Sequence, residues 1–362
     1  MISRLLRASL SIMRNNLKYF YSSFIWTIIG LIGALFIGHY YEGSWNGALQ
    51  MLALCIILSL LEVSISFDNA VVNATVLKDM TPLWRHRFLT WGMWIAVFGM
   101  RLIFPLMIVS IVASMGPWEA LVLAAKEPKK YAEIMLSVHH EVSAFGGAFL
   151  MLVCFKYFFD LEKEVHWISV IERPLAKLGK LQAIEVGLVL IILYVLSKYV
   201  PSEEVLPVMI SGIAGIVTFI AVDGLGAVLK VPEATQADLH RQSLGMFLYL
   251  EVLDASFSFD GVIGAFAITN NLFIIAIGLG IGALFVRSLT YLMVEQGTLS
   301  EFKYLENGAF WAVGALATIM FLNTIFHIPE IITGVIGITF IGFSLWSSLR
   351  LRKASANEVL HG

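Results

Sequence analysis

Apolar runs long enough to cross about 30 Å of hydrocarbon recur from end to end of this chain, and nothing else in the sequence restricts its fold so strongly. They fall at 22–41, 48–77, 88–113, 142–159, 183–199, 207–229, 244–269, 272–293, 308–326 and 330–349. Runs of this length suit helices, since a membrane strand needs only about 10 residues. A hydrophobic content of 59%, a charged content of 14% and a mean hydropathy of +0.84 place the chain outside the soluble range. The expectation is an all-α polytopic membrane protein of about ten spans, with nine the alternative count, whose medium is the lipid bilayer. It forms one membrane domain over 1–362.

The distribution of Lys and Arg sets the expected sidedness. Arg4, Arg7, Arg14 and Lys18 precede the first run, which reads as an uncleaved first span. With that end in the cytoplasm, inward loops hold Lys78, Arg85, Arg87, Lys163, Arg173, Lys177, Lys180, Lys230, Arg241 and Lys303. Outward loops hold only Lys126, Lys129, Lys130 and Lys198. Both termini are therefore expected on the cytoplasmic side, with a bacterial inner membrane as the setting. The net charge of -2 gives no sign of a nucleic-acid partner. Cys55 and Cys154 lie within apolar runs, without metal-ligand spacing or a disulfide framework.

Two of the runs carry one acidic motif. Leu61-Glu62-Val63-Ser64-Ile65-Ser66-Phe67-Asp68-Asn69 lies in the second, and Leu253-Asp254-Ala255-Ser256-Phe257-Ser258-Phe259-Asp260-Gly261 in the seventh. Ionisable groups at bilayer depth cost at least a few kcal/mol each, which points to binding or movement of something charged. The second and seventh spans run in opposite directions. Met100-Arg101-Leu102-Ile103 parallels Val286-Arg287-Ser288-Leu289, and Glu141-Val142-Ser143-Ala144-Phe145 parallels Glu306-Asn307-Gly308-Ala309-Phe310. These matches, in the same order, predict an inverted three-span repeat, and such halves commonly enclose a transport site near the midplane. Residues 48–160 form the first repeat, 161–243 central connecting spans and loops, 244–326 the second repeat, and 327–362 the last span and cytoplasmic tail.

At about 100° per residue, Glu62, Ser66, Asn69 and Asn73 share one helical face, matched by Asp254 and Ser258 with Glu251 at the edge. Asp68 and Asp260 lie about 120° from these stripes and join them only if the helix unwinds, which Asn69 and Gly261 tolerate. Such oxygen-rich sets suit hard divalent cations rather than Zn²⁺ or Cu⁺. Arg101 and Arg287 are candidate charge-balancing residues, although buried structural ion pairs account for the same composition. Asn73 and Asp223 are candidate pathway residues. Glu141 and Glu306 sit at span entrances, where surface roles are equally natural. Adjacent His139 and His140 point about 100° apart and read as an interfacial patch. The charged stretch from Asp160 to Lys180 reads as a solvated cytoplasmic loop.

The paired motifs resemble the TerC family of membrane proteins, named for tellurium resistance and related to manganese exporters of the Alx type. Glu62 to Ala70 and Leu250 to Asp260 carry the resemblance, continued by Arg101, Ala144-Phe145-Gly146 and Arg287. Gly261 departs from the Ser-type residue expected after the second aspartate, and the longer central section points to a divergent branch. The resemblance implies export of a divalent metal ion, with Mn²⁺ favoured. It carries over Glu62, Asp68, Asn69, Glu251, Asp254 and Asp260 as metal-site residues; Ser66 and Ser258 join them from the stripes.

The expected function is secondary transport rather than enzymatic catalysis, with no prosthetic group. The divalent cation is the substrate and protons are the candidate coupling ion, because carboxylates that lose a metal can take up protons in its place. An intramembrane aspartyl protease is the rival from another class, two aspartates sharing a proton to activate water. The familiar Gly-x-Gly-Asp type of motif is absent and more acids are present than such an enzyme needs. A non-transporting membrane scaffold in metal or stress response is the third reading.

Overall fold

A computed structural model describes residues 16–229, 236–326 and 328–361. Arg4, Arg7, Arg14 and Lys230, which enter the sidedness argument, lie outside the described residues. Among those described, every regular element is helical. After a 3-10 turn at Lys18–Phe20, the first four α-helices are α1 (Tyr21–Glu42), α2 (Trp45–Ile65), α3 (Phe67–Leu77) and α4 (Pro82–Trp94). A π-helical segment (Ile95–Ile103) leads into α5 (Phe104–Val112), and the short α6 (Pro117–Lys126) and α7 (Pro128–Leu136) follow. Then come α8 (His139–Phe158), α9 (Ser169–Leu178), α10 (Ile184–Leu196), α11 (Val205–Val228) and α12 (Gln236–Ile268). After α13 (Leu272–Glu295) and a single turn at Thr298–Glu301, the chain ends in α14 (Leu305–Asn323) and α15 (Glu330–His361).

Hydrocarbon offers no partner for backbone N–H and C=O groups, so apolar runs of this length close their hydrogen bonds internally as helices. Local chemistry sets the ends. Gly43 closes α1 in the left-handed region at φ +63°, and Ser44 caps α2 by accepting from Gly47 N at 3.1 Å. Pro82, Pro117 and Pro128 open α4, α6 and α7, where a missing N–H costs nothing. Asn271 caps α13 through bonds from Phe273 N and Ile274 N at 3.0 and 3.2 Å.

Among the described residues, eight helices are long and apolar enough to cross a bilayer, and the chain is an integral membrane protein. They correspond to eight of the ten expected spans. The expected span at 183–199 contains α10, whose 13 residues reach only about 20 Å. The chain nevertheless returns across the bundle there, because the His140–Glu204 and Lys156–Asp223 contacts set α8 and α11 side by side in the same direction. The span at 244–269 lies within α12, a 33-residue helix that carries Glu251, Asp254 and Asp260 and so misses the composition of a plain lipid-facing helix. The surface helices present large apolar side chains outward, including Phe36, Ile111 and Ile331 at about 70% exposure, as expected of groups that face lipid.

Two large hydrophobic clusters position the motifs. Cys55 and Leu58 of α2 belong to one, with Tyr131, Val262, Phe266 and Leu279; Val71, Val72, Ala74 and Leu77 of α3 belong to the other, with Phe149, Leu253, Phe257 and Met320. The α2–α3 pair thus passes from the first cluster into the second, whereas α12 passes from the second into the first. The two motif segments run antiparallel, with their polar residues at the junction between the clusters.

Candidate functional site

The first motif sits on a break. Helix α2 ends at Ile65, Ser66 adopts φ -93° and ψ 18°, and α3 begins at Phe67. Backbone bonds persist across it, Ser66 N to Glu62 O at 2.9 Å and Ala70 N to Ser66 O at 3.2 Å. The break lies two residues before Asp68 rather than after it, where the Ser66 hydroxyl also donates to Glu62 Oε1 at 3.2 Å. The second motif has no break, and α12 continues through Asp260 and Gly261. Gly261 faces the first motif instead, since a Cβ there would lie 3.5 Å from Glu62 Oε2.

Each motif segment carries a buried acid–arginine pair. Glu62, 5% exposed, accepts from Arg101 Nη2, and Arg101, 2% exposed, also donates from Nη1 to the Ala96 carbonyl at 2.6 Å. Arg101 lies in the π-helical segment just ahead of Pro105, which lacks an N–H for the Arg101 carbonyl and crowds it with its ring. Arg287 on α13 reaches Asp254 Oδ2 at 3.2 Å and Glu251 Oε2 at 3.5 Å. Its Nη1 donates to Phe88 O at 2.8 Å, and the guanidinium lies over the Phe88 ring.

Asn69 joins the two motifs by donating from Nδ2 to Asp254 Oδ1 at 3.0 Å. Asp68 accepts from Asn69 N at 2.9 Å with Oδ1, and its Oδ2 lies 3.9 Å from the position of a Cβ on Gly337, so this carboxylate faces α15. That helix lies outside both repeats drawn from the sequence. Ser258 and Asp260 are buried on α12. Among the described residues, no three His, Cys, Asp or Glu side chains converge closely enough to hold a metal ion. Three buried oxygens of the set, Asn69 Oδ1, Asn73 Oδ1 and Glu251 Oε1, have no hydrogen-bond partner.

Two glycines that the motif pattern does not contain complete the geometry. A Cβ on Gly92 would collide with Glu251 Oε1 and Arg287 Nη1, and one on Gly282 would collide with Cβ and Cγ of Glu62. Gly92 shares a span with Arg101, and Gly282 shares α13 with Arg287. Each arginine-bearing span thus offers a glycine seat to the acid held by the other arginine. Glycines on the arginine spans were the available signal, but one chain holds many glycines.

The stretch from Asp160 to Lys180 is solvated over much of its length, as expected, but it contains α9 and seals one acid. Glu172 is fully buried, and its Oε1 accepts from Ile168 N at 3.1 Å and Trp311 Nε1 at 3.0 Å. Its Oε2 accepts from Asn307 Nδ2 at 2.7 Å, Lys163 Nζ at 3.0 Å and Trp167 N at 3.1 Å. Burial raises the pKa of the Glu172 carboxyl, but the Trp311 and Ile168 donors and the Lys163 ammonium outweigh it and hold the group below its usual range. No feature of local sequence separated this glutamate from its charged neighbours.

The remaining candidates lie apart. Asp223 pairs with Lys156 beside a cleft of about 830 Å³ that Asp160, Glu162 and Gln242 also line. Glu306 lies 3.9 Å from Lys78 in a part-exposed setting, and His140 pairs with Glu204.

No curated protein matches this sequence, and no solved structure matches it. A family model described as a protein of unknown function, DUF475, matches residues 67–355. The match takes in Asp68, the whole second motif and both arginines, and covers most of the 362 residues. The chain belongs to the DUF475 family.

Proposed function

We propose that this protein is a secondary transporter that moves a hard divalent cation out of the cytoplasm through the polar junction between its motif helices, with Mn²⁺ the favoured cargo. One observation carries the reading: two buried acid–arginine pairs, one per motif, are joined by Asn69 and Asp254 where the helices cross. The acids of the two motifs, Glu62, Asp68, Asp254 and Asp260, together with the neighbouring Glu251, exceed Arg101 and Arg287 by three formal negative charges, enough to attract a divalent ion. Unpartnered oxygens on Asn69, Asn73 and Glu251 add hard donors. The resemblance of the paired motifs to the TerC family favours manganese and the outward direction.

In this mechanism the arginines hold the carboxylates while no cation is bound. An arriving ion competes for Glu62, Glu251 and Asp254, with Asp68 and Asp260 completing its shell as the helices shift and the repeats rock. Ser66 and Ser258 supply hydroxyl oxygens. Protons replace the ion on the return step, and Asp223 beside the cleft forms part of the cytoplasmic route. The protease alternative is disfavoured by the Asp254 carboxylate, whose two oxygens are taken by Arg287 and Asn69 rather than shared with a second acid.

Purified protein in liposomes tests the proposal, with Mn²⁺, Ca²⁺, Mg²⁺ and Zn²⁺ compared under an imposed pH gradient. Saturable Mn²⁺ flux, lost in Asp68→Asn and in Asp260→Asn, is the expected result. Folded protein that carries none of these ions would sink it.

A further inference from the structure

A second cavity lies away from the acids, between α1, the π-helical segment and α13. It measures about 360 Å³, within the ~300–1,000 Å³ typical of small-ligand pockets. Its walls are almost entirely apolar, among them Gly33, Ile37, Trp94, Phe98, Ile277 and Gly280. Trp94 and Phe98 stack at 5.1 Å and stand half-exposed at the rim, so the cavity opens on the surface that faces lipid. We propose that this groove holds a single phospholipid acyl chain, which braces the segment carrying Arg101.

The occupant follows from the surroundings. All the walls belong to helices that cross the bilayer, so hydrocarbon is the medium at the mouth. Small residues in membrane helices often mark contact with another helix. Here that capacity is already used, because a Cβ on Gly30 would lie 3.0 Å from Ile281 Cδ1 and one on Gly280 would lie 3.1 Å from Val97 Cγ1. Both glycines serve contacts within the chain, which leaves a slot rather than a flat helix-docking face. Gly33 borders open space, its nearest neighbour being Ile277 Cδ1 at 3.8 Å from a Cβ there.

The consequence concerns the π-segment. Val97, Phe98 and Leu102 form one wall, and Arg101 on the same segment holds Glu62 on the inner side. A chain packed against that wall supports the wide turn that presents Arg101. This inference rests on the Arg101–Glu62 contact and stands whether or not the protein transports a metal ion.

The test places the full-length protein in nanodiscs containing a phospholipid with a photoactivatable diazirine on its acyl chain, and maps the labelled peptides by mass spectrometry. Labelling is expected to be several-fold higher on the peptides of α1, the π-segment and α13 than on the exposed face of α15 at Ile331, Val335 and Ile338. Gly33→Leu, whose side chain fills the slot, is expected to lose the excess. Equal labelling of both regions, or an undiminished excess in Gly33→Leu, overturns the site. If that variant does not fold, the wild-type distribution decides alone. Disulfide capture between two copies carrying Ile29→Cys, at an exposed wall position on α1, with no excess labelling, assigns the groove to a second copy and also overturns it. Bracing further requires slower amide exchange across 95–103 in lipid-replete than in delipidated protein, and equal exchange overturns that part.

Discussion

Arg101 is the largest side chain among those almost fully shielded from solvent, and it is charged. Its partner Glu62 is buried too, so neither can lose the other without leaving a bare charge in a low-dielectric interior. Removing one member of such a pair typically costs ~3–5 kcal/mol, whereas replacing both by apolar groups can be nearly neutral. Arg101→Leu is therefore expected to lower the melting temperature of the purified protein sharply, with Glu62→Leu/Arg101→Leu milder than either single change. Strict additivity in the double-mutant cycle would show that the pair is not coupled. Glu172 gives the second residue-scale prediction. Its carboxyl ionises below the ordinary value of 4.5, so the folded loop gains stability from it above that value and loses it as pH falls through the lower, folded one. Amide exchange in 160–180, corrected for intrinsic rate, should stay slow at neutral pH and rise only in acid. Glu172→Ala should make it fast at neutral pH, because five donors then lose their acceptor.

Between helices, the acids depend on surfaces that carry no charge. Gly282 lets Glu62 lie directly on α13, and Gly92 lets Glu251 and Arg287 lie on α4. Added volume in a tight helix contact typically costs ~1–3 kcal/mol, and here it also pushes a carboxylate away from its arginine. Gly282→Val is expected to destabilise the protein within that range and to reduce cation flux by more than the loss of folded protein explains. Wild-type flux per folded molecule in Gly282→Val would separate the seat from function. The break at Ser66 and the π-segment before Pro105 belong to the same scale. Both depart from regular helix on spans that bear a member of the Glu62–Arg101 pair, which is where a membrane helix can re-aim a polar group.

Across the whole molecule, the excess of Lys and Arg in alternate loops predicts both termini in the cytoplasm. An impermeant thiol reagent added outside intact cells should label Glu119→Cys, in the α6 segment expected outside, and spare Lys353→Cys, near the end of α15. Cys55 and Cys154 are buried and contribute little background. The reverse pattern would invert the proposed direction of the site. Much of the architecture is legible without coordinates, because hydropathy over about 20 residues and the 3.6-residue period are local properties. The sequence by itself determined that the chain lives in a membrane, where most of its spans begin and end, and that Glu62, Asp68, Asp254 and Asp260 recur as a pair of motifs. Only the tertiary structure decided that Asn69 reaches Asp254, that Asp68 faces α15, that Gly92 and Gly282 seat the acids, and that Glu172 is sealed beneath Trp311 and Asn307. Those contacts join residues tens to hundreds of positions apart. Their distances are set by the register in which helices pack against one another, and no local periodicity encodes that register.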